Sequence, residues 1–177
     1  DALRGYRVVV PLATPETALA AELVAQSTGL PIELPPFGPY ADALRRLGQV
    51  RASISLSLGD GIPTSLLEQM LFGSFPIQSK TGCSCEWVEH GVSALLVHPD
   101  DPEEVEAALR RVIANDALVD RAAAINRRTA EDRADARRIA PLVAEWYACA
   151  AARAPGAGTG DPRRDAAGEA GSGPIPT

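Results

Sequence analysis

The sequence predicts an α/β fold organised as a doubly wound parallel sheet. Short apolar or β-branched runs alternate along the chain with segments of helical periodicity, as such a domain requires. Helix signals separate them, with Thr14-Pro15 at one start, Gly29 at the following stop and Pro63 at another start. The run Ser57-Leu58-Gly59-Asp60-Gly61-Ile62-Pro63-Thr64-Ser65-Leu66-Leu67-Glu68 then sets two carboxylates at a strand-to-helix junction. Open parallel sheets take their ligands at such junctions.

The elements follow in order. Residues 7–12 read as a strand, and Thr14 caps a helix that opens on Pro15 and stops at Gly29. Ile32-Glu33-Leu34 is a short strand before the loop Pro35-Pro36-Phe37-Gly38-Pro39. Tyr40 to Leu47 forms a short helix, with Ala43, Leu44 and Leu47 on one face. A strand over 52–57, a helix over 63–72 and strands over 75–79 and 94–97 complete the α/β part. Beyond Pro102, apolar Val105, Leu109, Val112 and Ile113 mark a helix, followed by helices over 118–129 and 132–153. The last carries an apolar stripe of Ile139, Leu142, Val143, Trp146 and Tyr147, part of which is expected to lie uncovered. One domain therefore spans 1–153. From Ala154 the composition turns to Gly, Pro and Ala, and 154–177 reads as a disordered tail.

Composition narrows the function classes. At 177 residues and 46% hydrophobic side chains the chain can bury a core. Its net charge of −6 argues against a general nucleic-acid binder, which presents a basic face. No apolar run reaches the length of a membrane span and no signal peptide is visible. Lys80 is the single lysine, a bias of genome composition rather than of function. Cys83 and Cys85 are too close for an ordinary bridge and lack zinc-ligand spacing, so Cys83, Cys85 and Cys149 read as reduced thiols and no metal is expected. No Gly-x-Gly-x-x-Gly follows a strand, which disfavours a dinucleotide oxidoreductase.

The junction between Asp60 and Glu68 has the chemistry for a phosphorylated, hydroxyl-rich ligand. With Pro63 as first helical residue, Ile62 becomes the N-cap, and its side chain cannot accept from the first-turn amides. The Thr64 and Ser65 amides are then open to an anion, supported by the helix dipole. Gly61 lets a ligand reach the backbone. Asp60 can accept from hydroxyls, and Glu68, about one and a half turns into the helix, can take a vicinal diol.

The segment Asp60-Gly61-Ile62-Pro63-Thr64-Ser65-Leu66-Leu67-Glu68-Gln69-Met70 resembles the hallmark of family 4 retaining glycosyltransferases of GT-B fold. That hallmark is an acid, seven intervening residues, then Glu. Gly73-Ser74-Phe75-Pro76-Ile77, Glu86-Trp87-Val88-Glu89-His90-Gly91-Val92, Leu95-Leu96-Val97 and Asp101-Pro102-Glu103 continue the resemblance in order, over residues 7 to 147. It implies the Rossmann-like, donor-binding C-terminal domain of a glycosyltransferase that uses a nucleotide-diphosphate sugar and no cofactor. Asp60 and Glu68 are cast in the catalytic centre, Asp60 on the donor sugar hydroxyls and Glu68 on the ribose. Backbone at Gly61, Ile62, Thr64 and Ser65, and the loop holding Gly82 and Cys83, would border the donor.

The resemblance also implies parts that this chain lacks. The first strand here looks like the family's second, so the sheet is expected to be incomplete at its N-terminus. By the resemblance, the strand carrying the Gly-rich turn and a basic residue for the diphosphate, and the acceptor-binding N-terminal domain, are expected to lie outside this stretch. This stretch alone is expected not to turn over. The resemblance implies a role in glycoconjugate or polysaccharide synthesis, with a cytoplasmic setting that extends to peripheral contact at the inner face of the membrane through the N-terminal half. Asp in place of the commoner Glu at 60, and a loop after Pro76 one residue short, put the sugar in question. Two alternatives share the architecture: a nucleotide-sugar epimerase or hydrolase, and a non-catalytic binding module.

Overall fold

The computed structural model describes residues 3–153; the tail expected over 154–177 lies outside the described residues. The chain divides into two compact units, Asp1–Ala134 and Asp135–Thr177. The first unit runs β1 (Val8–Val9), α1 (Pro15–Thr28), β2 (Ile32–Glu33), α2 (Tyr40–Leu47), β3 (Ala52–Ser55), α3 (Thr64–Phe72), β4 (Phe75–Ser79), a 3₁₀ turn (Cys83–Glu86), β5 (Leu95–Val97), α4 (Pro102–Ile113) and α5 (Asp116–Ala134).

Every strand pair is parallel, as the α/β reading requires. The strands form two groups, β1-β2 and β3-β4-β5, with no pairing between the groups among the described residues. All five residues of β4 are buried, because it is flanked by β3 and β5 and covered by helices. Its second residue is a proline, which a central strand normally rejects. Phe75 donates its amide to Arg51 O of the neighbouring segment, so the next position faces the β5 side. Pairing with β5 starts only at Ile77↔Leu95, so the amide that Pro76 lacks falls outside that ladder.

Several strands are shorter than the sequence suggests. β1 spans 8–9 rather than 7–12, since Pro11 has no amide to donate and Leu12 turns the chain at φ 55°. β2 ends at Glu33 because Pro35 and Pro36 cannot extend it. β3 stops at Ser55 rather than 57, and β5 starts at Leu95 rather than 94. The 3₁₀ turn was not anticipated within its loop. The helix expected over 118–129 is longer, running Asp116–Ala134, and the one expected over 132–153 is shorter, starting at Ala136, so the two divide at Asp135.

The core has two parts. Phe75, Ile77, Leu95 and Val97 of the sheet pack with Val112 of α4 and Leu118 and Ala122 of α5. Leu66 and Met70 of α3 pack with Val88, Ala94 and Ala130. A buried polar pair ties α3 to the sheet, with Gln78 Nε2 donating to Gln69 Oε1 at 2.8 Å. Gln78→Leu leaves that buried acceptor unpaired and is expected to destabilise the fold by about 1–3 kcal/mol, whereas replacing both glutamines by apolar residues costs less. Thermal or urea unfolding of the single and double variants checks this. Arg51 fastens α4, donating to Val112 O at 2.9 Å, and Arg133 lies 4.1 Å from the centroid of the Trp87 ring.

The second unit contains α6 (Ala136–Arg153). Asp135 opens it, accepting the Arg137 amide at 2.9 Å, and the Arg137 guanidinium holds the Asp135 carboxyl at about 2. Pro141 sits inside this helix. No side chain of α6 is buried, and Leu142, Trp146 and Tyr147 of its apolar stripe are exposed. Among the described residues, no helix is long and apolar enough to cross a membrane.

Candidate functional site

The loops after β3 and β4 meet at the carboxyl edge of the sheet. The Ser57 amide donates to Ser79 Oγ at 3.3 Å, and Thr81 Oγ1 donates to Ser57 O at 2.6 Å. Gly82 then passes close under the Asp60 turn. A Cβ at Gly82 would stand 3.2 Å from Asp60 O and 3.8 Å from Asp60 Cβ, so only glycine fits without displacing Asp60. The structure thus brings Asp60, Gly61 and Gly82 together. Cys83 follows as the half-buried first residue of the 3₁₀ turn, with its thiol free.

Helix α3 begins one residue later than the sequence suggests. Pro63, not Ile62, is the N-cap, with φ −65° and ψ 132°, and Thr64 is the first helical residue. An extended ψ there holds proline just outside the helix, where its fixed φ is equally suitable. The chemical consequence survives the correction. No side chain caps α3, since neither Pro63 nor Ile62 carries an acceptor. Leu66 N donates to Pro63 O at 2.9 Å, whereas the Thr64 and Ser65 amides have no hydrogen-bond partner among the described contacts and both residues are exposed. By contrast, Thr14 caps α1, and Asp101 accepts from both Glu103 and Glu104 amides at the start of α4. Helix α2 shares the open start, after Pro39.

Glu68 is half-buried and lies one turn beyond Thr64, on the same face of α3. Its hydrogen-bond partner is none of the other expected site residues. The Tyr40 hydroxyl, at the first position of α2, donates a hydrogen bond to Glu68 Oε1. That bond, foremost, raises the Tyr40 phenol above its usual range, since losing the proton would set an anion beside the carboxylate. Tyr40 was missed in the sequence because 28 positions separate it from Glu68. The available signal was the helix start it occupies, on the side of the sheet where Asp60 lies. Asp60 itself is exposed.

Other charged groups near this edge are otherwise engaged. Lys80 pairs with Glu104 at 3.4 Å, and Glu104 also accepts the His98 amide at 2.6 Å. That backbone hydrogen bond is the main cause of the lowered Glu104 carboxyl pKa. Among the described residues no three His, Cys, Asp or Glu side chains are grouped to hold a metal. A surface groove lined by Leu71, Phe72, Gly73, Ala123, Ala124 and Arg127 lies at the other end of α3, away from the open amides.

The profile of the group 1 glycosyl transferases matches residues 12–115, which contain every residue of this corner. The chain belongs to the group 1 glycosyl transferase family. No curated protein sequence matches it. Among solved structures, this glycosyl transferase chain resembles Anabaena Alr3699/HepE in complex with UDP, with TM-score 0.71 and 19% identity over 81% of this chain and 41% of HepE. It also resembles sucrose-phosphate synthase from Thermosynechococcus elongatus, with TM-score 0.74 and 17% identity over 84% of this chain and 39% of that one. A third is the C-terminal domain of the group 1 family protein LpcC from Francisella tularensis, with TM-score 0.63 and 18% identity over 72% of this chain and 69% of that domain. At these identities the likeness establishes the fold, the Rossmann-like domain of GT-B glycosyltransferases. The chain spans less than half the length of HepE and of the synthase.

Proposed function

We propose that this chain is the donor-binding domain of a family 4 glycosyltransferase that moves a sugar from a nucleotide-diphosphate sugar to an acceptor with retention. The observation that carries the reading is the uncapped start of α3, set between Asp60 and Glu68 in a chain of the group 1 family. Amides there suit a diphosphate, and an oriented helix start favours the charge that builds on the departing nucleoside diphosphate. Asp60 orients the donor sugar through its hydroxyls, and Glu68 holds the ribose. A structural neighbour bound to UDP-glucose supports a nucleotide-sugar donor. The acceptor, any contact with a membrane surface and the basic residues for the diphosphate are assigned to the rest of the full-length protein. The setting is glycoconjugate or polysaccharide synthesis in the cytoplasm.

The strand pairing supports a further part of this reading. In a doubly wound sheet with strand order 3-2-1-4-5-6 the first strand lies in the middle. Numbering β1 as the second strand gives β2-β1, a space, then β3-β4-β5, which is the observed division. A strand that fills this space in the full-length protein would protect the β3 amides from hydrogen exchange.

Incubating the full-length gene product with a panel of nucleotide sugars and acceptors tests the function. Transfer with the anomeric configuration kept is the anticipated outcome. Epimerisation or hydrolysis without transfer would assign the site to a different reaction, and absence of any nucleotide-sugar binding would leave only a binding module of another kind. Gly82→Ala offers a local check. Shifting Asp60 to relieve the contact costs roughly 1 kcal/mol, so Tm should fall by about 2–4 °C, and donor affinity should fall about fivefold because Asp60 is displaced; a thermal scan and a calorimetric titration read the two effects.

A further inference from the structure

We propose that Tyr40 is a positioning residue that makes this corner selective for ribonucleotides over 2′-deoxyribonucleotides, by fixing Glu68 through its phenol hydroxyl. The proposal rests on the reading of Glu68 as the ribose-binding carboxylate and extends it to a residue on a different helix. A glutamate on a helix surface samples several rotamers, and each one points its oxygens differently. Here one oxygen, Oε1, is held by the Tyr40 hydroxyl. The second oxygen keeps both lone pairs, and Oε1 keeps one, so the carboxylate can still accept from two adjacent hydroxyls. With Glu68 held in one rotamer, a ribose diol meets a preset pair of acceptors, whereas a sugar lacking one hydroxyl leaves an acceptor unpaired. Sites built to bond a hydroxyl reject analogues without it more strongly than sites that merely enclose it.

The setting of Tyr40 favours a task at the site over a role in packing. It is 62% exposed, and α2 buries none of its side chains. α2 also packs along α3 beyond Tyr40, and at its far end Gly48 lies within ordinary van der Waals range of Phe72. Removing the hydroxyl leaves these α2–α3 contacts in place, and the Tm comparison below checks that the helix stays docked. No cationic side chain bonds Glu68 among the described contacts; Tyr40 supplies its one hydrogen bond. Below the raised titration range of the phenol the proton stays between the two groups, and above it the bond is lost.

The test compares the full-length protein with Tyr40→Phe and Tyr40→Ala by calorimetric titration. The probes are matched pairs: UDP with dUDP, GDP with dGDP and ADP with dADP. For whichever base binds tightest, native protein should prefer the ribonucleotide, and Tyr40→Phe should shrink that preference about tenfold. Tm and affinity for inorganic diphosphate should stay unchanged, which a loss of fold could not produce. In native protein the preference should also fade as pH passes the raised phenol range, while Tyr40→Phe shows no such step. A ribo-to-deoxy ratio in Tyr40→Phe equal to that of native protein, with Glu68→Ala still weakening binding, overturns the role of Tyr40 alone. Failure of every nucleotide to bind native protein overturns both this role and the donor-site reading.

Discussion

Glu68→Ala in the full-length protein should weaken nucleoside diphosphate binding by roughly 10- to 100-fold, the worth of hydrogen bonds to a charged group of about 1.5–3 kcal/mol. Tm should scarcely move, because Glu68 is only half-buried and its recorded bond is to an exposed tyrosine. Asp60→Ala separates the two halves of the ligand. Assigned to the sugar rather than to the nucleotide, it should weaken binding of the nucleotide sugar while leaving the bare diphosphate nearly unaffected. Calorimetry with both ligands on both variants reads the two roles independently. Equal losses for both ligands in both variants would mean that neither carboxylate is tied to one part of the donor.

Leu66→Ala should cause the largest loss of stability, about 2–5 kcal/mol. Leu66 is fully buried against Met70, Val88, Ala94 and Ala130, two residues from Glu68 on the helix that presents the open amides. For a domain of this size that corresponds to a fall in Tm of roughly 5–15 °C. Leu71 is 40% exposed on the same helix, and Leu71→Ala should cost under about 1 kcal/mol. A thermal scan of the pair therefore tests which face of α3 is the inner one. Comparable losses at both positions would place α3 in a different rotation from the one described, and Glu68 with it.

Much of the geometry at this corner is legible in the sequence, because its signals are local. Asp60, Gly61 and Pro63 lie within one turn of chain, and a proline-led helix start after a strand has few other readings. The one-residue error at the N-cap, Ile62 for Pro63, arose because proline fits both the cap and the first helical position. It left the chemistry intact, since neither residue offers an acceptor. Relations between distant segments were the part that stayed hidden. Gly82 is constrained by the Asp60 carbonyl, which the resemblance places in the same pocket, whereas the Tyr40–Glu68 bond joins positions 28 apart and only the helix start at Tyr40 hints at it. Strand lengths failed for a simpler reason: apolar runs mark where a strand can form, whereas amides removed at Pro11, Pro35 and Pro36 decide where it ends. The position of Pro76 in a central strand became intelligible only with the register, which shows its missing amide beyond the β5 ladder.

The central claim is that the bare start of α3, framed by Asp60 and Glu68, receives the diphosphate of a sugar nucleotide. Backbone amide spectra of deuterated, ¹⁵N-labelled full-length protein titrated with UDP, GDP and ADP address it directly. At least one of these nucleotides should shift the amides of Gly61, Ile62, Thr64, Ser65 and Gly82, and Glu68→Ala should suppress those shifts at the same nucleotide concentration. If a nucleotide binds and these amides stay in place while others move, the diphosphate sits elsewhere and the corner at Asp60 has a different use.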